Sequence, residues 1–318
     1  MAPADSTTDP VFALDRRALA RSFDRASASY DAAAVLQSQV RAELLERLQF
    51  LRQTPARVLD LGCGTGAMTL QLAREYPLAS VVAIDRAPAM AATTARALRN
   101  RFTAPRFRQA ARHLLGHAQH RLPRRAQQLL SAPPQALCAD ASQLPLRSGS
   151  IDVVFSSLML QWCENLDVVL AQVHRVLTPG GLFLFSTFGP DSLRELRSAW
   201  SAADGFNHVN RFVDMHDLGG ALSRAGFAEP VLDVDRIDRP CGEVAELMRE
   251  LKLIGAHNVT AGRARGLTGK RRFAAMQAAY EQQRRGGVLP VTYEVIYGCA
   301  WAPPEIAINI GQIRRRSR

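Results

Sequence analysis

The sequence predicts an α/β protein built on a doubly wound, mainly parallel sheet with a helical cap, and three observations carry that prediction. Strand-like apolar runs recur at 57–61, 80–84, 135–139, 151–156 and 181–187, with helical stretches between most of them. Alternation of this kind buries strands on both faces and joins them by right-handed crossovers. A cluster of three glycines, Gly62, Gly64 and Gly66, follows the first run directly and precedes a helix. Strand, glycine turn and helix form the opening of a nucleotide-binding α/β unit.

The elements follow in order. Residues 12–51 read as one helix, because Leu36, Val40, Leu44, Leu45 and Leu48 recur at threes and fours until Pro55. Residues 68–75 form the helix after the glycine turn, the second strand ends at Asp85, and Pro88 suits the first turn of the next helix. A helix over 166–177 stops at Thr178-Pro179-Gly180-Gly181. Two further strands are expected at 229–235 and 292–300, and helices at 191–205, 243–255 and 270–285 join 12–51 as a cap over the carboxyl ends of the strands. The organisation expected is a helical cap segment over 1–51, a ligand-binding α/β unit over 52–240 with an insertion at 100–135, a helical cap over 241–290, a last strand within 291–303 and a tail from 304 to 318.

The 318 residues carry a net charge of +11, unevenly placed. No Asp or Glu lies between Asp85 and Asp140, a stretch that holds ten arginines, and the tail adds Arg314, Arg315, Arg316 and Arg318. The rest of the chain is slightly acidic, which argues against a protein that is basic over its whole surface. No apolar run approaches the roughly 18 residues a membrane span needs. Five scattered cysteines without a Cys-x-x-Cys pair, and an opening segment without signal architecture, make a cytoplasmic location the expectation. The histidines at 208, 216 and 257 lack metal-ligand spacing, so no metal is assigned.

Chemistry centres on Asp60-Leu-Gly62-Cys-Gly64-Thr-Gly66. Glycines there let the backbone turn tightly and leave room for a ligand. In the dinucleotide fingerprint the third glycine comes one residue later and the helix N-terminus meets a pyrophosphate. Here Asp60 would repel an anion, so the ligand is expected to be cationic or zwitterionic. S-adenosylmethionine, with its ammonium and sulfonium groups, fits. Asp85 can accept both hydroxyls of a ribose diol. Asp140-Ala141, after the third strand, can take an adenine amino group through the carboxylate and a ring nitrogen through the Ala141 amide. Arg86 completes the cofactor-binding set.

The glycine pattern, with Asp85 and Asp140, resembles class I S-adenosylmethionine-dependent methyltransferases of Rossmann-like fold. The likeness extends through Phe23-Asp-Arg-Ala26 with Tyr30 and Leu36-Gln37, and through Ser156-Ser-Leu-Met-Leu-Gln-Trp-Cys163. It continues in Phe188-Gly-Pro-Asp-Ser-Leu-Arg-Glu-Leu196, His208-Val209 with Phe212-Val-Asp-Met-His-Asp217, and Leu251-Lys252 with Gly255-Ala-His-Asn258. Arg265-Gly-Leu-Thr-Gly269 and Leu289-Pro-Val-Thr-Tyr-Glu-Val-Ile-Tyr-Gly298 complete it. Together these blocks resemble the malonyl-acyl carrier protein O-methyltransferases of biotin synthesis from about residue 20 to 303, and those after residue 188 discriminate. Cys299 stands where that family usually has His.

The resemblance implies methyl transfer to the free carboxylate of a malonyl thioester on acyl carrier protein. Such a carboxylate is ionised at neutral pH, so no general base is required, and no catalytic residue is assigned beyond Tyr30 and Trp162 as groups that could close over cofactor and substrate. Positioning and desolvation would supply the rate. The carboxylate calls for arginine or lysine; Arg194, Arg211, Lys252 and Arg265 are the candidates, with Lys252 and Arg265 favoured because they lie in family-like blocks. An acidic carrier calls for a basic docking surface. The arginine-rich segment 100–135 reads either as that surface or as a solvated insertion, with essential contacts expected from the cap. The alternatives are a small-molecule or free-acid methyltransferase, a hydroxylase like the related mitochondrial assembly factor, and an RNA methyltransferase. The last is weakened because Ser156-Ser-Leu-Met159 replaces the Asn/Asp-Pro-Pro-aromatic motif of amine-modifying enzymes.

Overall fold

The computed structural model describes residues 13–50, 54–102, 134–263, 266 and 268–305. Seven strands form one sheet in the order β3-β2-β1-β4-β5-β7-β6. They are β1 (Arg57–Leu61), β2 (Ser80–Asp85), β3 (Gln135–Cys138), β4 (Ile151–Ser157), β5 (Leu177–Phe188), β6 (Ala228–Asp238) and β7 (Thr292–Trp301). The first five are parallel, and β7 runs antiparallel to both β5 and β6. The mainly parallel, doubly wound sheet read from the sequence is therefore present. The strand order reverses beside β1, which places a crevice at the carboxyl ends of β1 and β4.

The alternation of side chains along each strand divides the core between the two faces. Val58, Val153, Phe155, Leu182 and Leu184 face one cluster, which holds Leu36, Val40, Leu44 and Leu48 of α3 (Val35–Phe50) and Met68 and Leu72 of α4 (Ala67–Glu75). Leu59, Val154, Phe183 and Phe185 face the other, packed by Val169, Leu170, Val173 and Val176 of the helix Leu166–Val176. Strands buried on both sides need such continuous apolar runs.

The single helix expected over 12–51 is broken in the structure into α1 (Arg16–Ala26), α2 (Tyr30–Ala33) and α3. The break has a local cause. The Ser27 and Ser29 hydroxyls donate to the carbonyls of Asp24 and Ala26 at 2.8 and 3.2 Å, taking over acceptors that the next helical turn would have used. Asp15 caps the start of α1 by accepting from the Ala18 amide at 2.9 Å.

Numbering continues with α5 (Pro88–Phe102), α6 (Leu166–Val176), α7 (Arg194–Ser201), α8 (Met215–Arg224), α9 (Val244–Leu253) and α10 (Lys270–Glu281). α8 was not singled out from sequence; Asp214 caps it by accepting from the Asp217 amide at 2.8 Å. α6 ends at Val176, and β5 begins at once with Leu177 opposite Ile151 rather than at residue 181. Most of the basic insertion, residues 103–133, and the tail arginines lie outside the described residues.

Two blocks that carried the family resemblance meet in space. Glu195 of α7, 6% exposed, accepts from the Thr292 amide at 3.1 Å and its hydroxyl at 2.7 Å. Ser192 donates to the Glu294 carbonyl at 2.8 Å, and the Glu294 carboxylate accepts from the Asp191 amide at 2.8 Å. The turn after β5 is thereby locked to the antiparallel strand β7. Replacing Glu195 with Ala leaves the buried Thr292 amide unpaired and its hydroxyl with only the 3.2 Å bond to Asp238, and is expected to destabilise the fold by about 1–3 kcal/mol, read as a lowered denaturation midpoint.

Candidate active site

The glycine turn sits on the end of β2. The Gly62 and Cys63 amides donate to the Ile84 carbonyl at 2.8 and 3.1 Å, and the Gly64 amide donates to Asp85 Oδ2 at 2.9 Å. Gly62, Gly64 and Gly66 adopt φ of +80°, +54° and +89°, a region that favours glycine. Their spatial roles differ. A Cβ at Gly62 would lie 2.3 Å from Met159, and one at Gly66 would lie 2.8 Å from Thr94, whereas one at Gly64 would meet nothing within 4 Å. Gly64 thus faces open space that a ligand can fill, while Gly66 permits close packing of the turn on α5.

That space belongs to a cavity of about 370 Å³. Gly62, Gly64, Asp85, Arg86, Asp140 and Ala141, six of the residues expected to bind cofactor, line one half. Asp85 Oδ1 accepts from the Ala87 amide at 2.8 Å. Burial pushes the Asp85 carboxyl up, against the amides of Ala87 and Gly64. Asp60 is withdrawn into an adjoining pocket of about 30 Å³, where the Thr69 hydroxyl donates to it at 2.5 Å. Burial outweighs that bond and pushes its carboxyl up to about 7.

The small pocket contains two residues that the sequence reading did not assign to the cofactor. Gln37 and Arg41, one helical turn apart on α3, line it beside Asp60. Gln37 Oε1 and Arg41 Nε are buried without a partner. A guanidinium, a carboxyl and an amide around one pocket could hold a zwitterionic amino-acid end, with Asp60 meeting the ammonium and Arg41 the carboxylate. The i, i+4 spacing of Gln37 and Arg41 was the available signal. With Gly64 open and Asp85 on the wall, the residues present fit S-adenosylmethionine.

Asp140 is more heavily engaged than its sequence position implied. Its Oδ1 accepts from the Ser142 amide and hydroxyl at 2.9 and 2.7 Å, and its Oδ2 meets Arg16 and, at 3.2 Å, Arg86. Burial opposes ionisation, but the Ser142 donors and the two guanidinium groups outweigh it and hold the carboxyl below its usual range. Arg16, at the start of α1, closes this end of the cavity.

Tyr30 lines both cavities, and burial pushes its hydroxyl up to about 12, which keeps it a donor. Trp162 lines the main cavity and packs edge-on against Phe23 at 5.3 Å. The acceptor half beyond them is largely apolar, with Phe188, Leu196, Val209 and Phe212 on its wall. Of the cap cations predicted for the acceptor carboxylate, the three that are described do not line it. Arg194 is half-exposed and paired with Glu195 at 3.1 Å and Asp191 at 3.5 Å; Arg211 and Lys252 are exposed; Arg265 lies outside the described residues.

Fold and site define a class I S-adenosylmethionine-dependent methyltransferase, and the family model described as a methyltransferase domain matches residues 36–229. A Bacillus halodurans protein of known structure shares the fold, with a TM-score of 0.51 at 16% identity over 82% of this chain and 99% of its own. The malonyl-acyl carrier protein O-methyltransferase of Laribacter hongkongensis is 49% identical over 92% of this chain and 91% of its own length. The protein of the same name from Gallionella capsiferriformans is 43% identical over 92% of each. The chain belongs to the malonyl-acyl carrier protein O-methyltransferase family. S-adenosylmethionine is its cofactor, and the RNA, free-acid and hydroxylase alternatives are not favoured by these relatives.

Burial of Asp60 has a measurable consequence. The folded carboxyl keeps its proton up to about pH 7, whereas its unperturbed value is 3.8. Folding therefore loses stability as the pH rises through that window. Asp60→Asn removes this loss, so the melting temperature of the cofactor-free variant minus that of wild type is expected to grow between about pH 4 and pH 7 and to level off above that. A difference independent of pH contradicts the assignment. The same variant is expected to bind S-adenosylmethionine at least about tenfold more weakly in calorimetry.

Proposed function

We infer that the enzyme transfers a methyl group from S-adenosylmethionine to the free carboxylate of a malonyl unit carried on acyl carrier protein. The observation that carries this reading is the two-ended cavity, with a polar, glycine-lined cofactor half opening into an apolar acceptor half between α1 and α9. When bound, the cofactor supplies an electrophilic methyl group on its sulfonium. Asp85 holds the ribose diol, Asp60 and Arg41 hold the amino-acid end, and Ala141 with Asp140 lies against the adenine. The acceptor carboxylate is already ionised at neutral pH and needs no base. Tyr30 keeps its proton, so it orients by donation. The apolar acceptor wall, with Trp162 and Phe23 above it, excludes water from two groups of opposite charge that neutralise each other as the methyl moves. The ester product masks the malonyl charge, in keeping with the family's role in biotin synthesis.

The carrier's docking surface is assigned to the outer faces of the two helices that frame the cavity. Leu19, Ala20 and Phe23 of α1, Glu250 and Leu251 of α9, and Ile254 just after it, line the cavity. On the exposed side of α1, Arg17, Arg21 and Arg25 repeat at every fourth position, and Arg249 and Lys252 are exposed on α9. Arg25 and Lys252 lie close enough to His257 that both, after burial, push its imidazole below its ordinary value. This basic rim complements an acidic carrier and points its acyl arm at the cavity. It supports docking without any contribution from residues 103–133, whose part in binding is not assigned.

Reversing Arg21 and Arg25 to Glu is expected to raise the KM for malonyl-carrier about tenfold at low salt. The KM for malonyl-pantetheine, which has no carrier, is expected to change by less than about twofold. Equal changes for the two substrates contradict the docking assignment.

A further inference from the structure

The acceptor half of the cavity is largely apolar, but Asn210, Glu250 and Tyr293 interrupt its wall. The described arginines that line the cavity, Arg16 and Arg86, both meet Asp140 at the cofactor end. His208, next to this group, is engaged by Asp204, 2.8 Å from its Nε2, and by the Trp200 ring stacked on it at 3.7 Å. An amide, a carboxylate and a phenol are therefore what the acceptor half offers a ligand.

Asn210 belongs to the connection between α7 and α8. It is 7% exposed, and its Oδ1 is buried without a partner. The connection is fastened nearby: the Asn207 side chain donates to Thr260 Oγ1 at 3.1 Å, and the Asn207 carbonyl accepts from the Asn258 side chain. Asn258 in turn accepts from the Thr260 amide and hydroxyl at 2.9 and 2.8 Å. Asn210 is thus carried on a loop stapled to a second loop, which preorganises it for a ligand. A buried acceptor in an apolar wall is costly unless a donor meets it.

The same wall carries Tyr293. Phe212, two residues beyond Asn210, packs on Phe188 at 5.6 Å, and Phe188 packs on Tyr293 at 5.7 Å. Tyr293 is 4% exposed, and no partner for its hydroxyl occurs among the described residues. Burial, and after it the charge of Glu250, push that hydroxyl up, which keeps its proton available for donation. Glu250, on α9, accepts from Arg239 through Oε1 at 3.2 Å, and its second oxygen offers further acceptor sites. Two acceptors and one donor along an apolar wall cannot hold a carboxylate, which itself only accepts. They match a slender ligand that carries amides. The arm of an acyl carrier has that chemistry, since a pantetheine chain contains two amide bonds and ends in the thioester that bears the malonyl unit.

We infer that Asn210, Glu250 and Tyr293 seat the pantetheine arm of the malonyl thioester. This rests on the carboxyl-methylation reading above. Asn210 Oδ1 accepts from one arm amide, Glu250 accepts from the other, and the Tyr293 hydroxyl donates to an arm carbonyl. These bonds hold the neutral end of the substrate, so the free malonyl carboxylate projects toward the methyl group of the cofactor. The enzyme thereby selects a thioester with a full arm over a truncated one. The arm amides do not change as the methyl moves, so their contacts strengthen substrate binding and leave the barrier from the bound state nearly unaltered.

The test compares two substrates, malonyl-pantetheine and the S-methyl thioester of malonate, which has no amide. The variants are Asn210→Leu, of similar shape, Tyr293→Phe and Glu250→Gln. Binding of S-adenosylhomocysteine by calorimetry verifies that each is folded, and a variant that fails this is set aside in favour of the others. Asn210→Leu and Tyr293→Phe are each expected to raise the KM for malonyl-pantetheine at least about fivefold, while kcat changes by less than about threefold. The KM for the S-methyl thioester is expected to change by less than about twofold. Glu250→Gln keeps one acceptor oxygen and is expected to show a smaller effect of the same kind. Asn210→Leu also removes the unpaired oxygen, so without substrate it is expected to melt no lower than wild type. If wild type methylates both thioesters and the folded variants alter both KM values by the same factor, or neither, the arm assignment is overturned while carboxyl methylation stands. If wild type methylates neither thioester, the carboxyl-methylation reading fails and the arm assignment falls with it.

Discussion

Two carboxylates buried at the ends of neighbouring strands constrain the rest of the molecule. Asp60 and Asp85 sit on β1 and β2, and burial pushes both toward their protonated forms. Charged groups of this kind are tolerated only where something else is gained. The Asp85 carboxylate pins the glycine turn through the Gly64 amide, and the positive φ values of that turn keep the backbone away from the space in front of it. Arg41 and Gln37 stand beside Asp60 with polar atoms unpaired. The unpaired polar atoms and the buried carboxyls thus share one place, where a zwitterionic, diol-bearing ligand would satisfy them. Fold stability and cofactor binding oppose each other at Asp60.

The second half of the molecule answers a different need, that of placing an apolar acceptor chamber against the first. The turn after β5 and the antiparallel strand β7 are joined by Glu195, Ser192 and Glu294. That junction fixes α7, and with it Leu196 on the wall of the acceptor half. The sequence blocks that distinguish this family from other methyltransferases therefore have a structural meaning. They lock the last hairpin of the sheet to the cap and set where an acyl unit can lie.

The parts legible in the sequence are those that depend on neighbours in the chain. Strand, glycine turn and helix could be read from 57 to 75, and Asp85 and Asp140 from their places after successive strands. What could not be read depends on distant partners. The continuous apolar spacing across 12–51 concealed a break made by two serine hydroxyls. Asp140 could be placed, but nothing near it announced that Arg16 would engage it. The acceptor half was the least legible. Arginine and lysine were expected on chemical grounds; of these Arg194 turns to Glu195 and Asp191, and Arg265, one of the two favoured, lies outside the described residues. Locating the charge also changed its meaning, because the basic rim on α1 and α9 is short in sequence and was overshadowed by the arginine-rich insertion.

The central claim is that the methyl group goes to a carboxylate presented by a carrier. The direct measurement incubates the purified protein with methyl-labelled S-adenosylmethionine and malonyl-carrier, acetyl-carrier or RNA in parallel, and follows label that is released by mild alkali. The account predicts alkali-labile label on malonyl-carrier and none on acetyl-carrier or RNA. Label on acetyl-carrier or RNA, or no label on malonyl-carrier with cofactor bound, would contradict it.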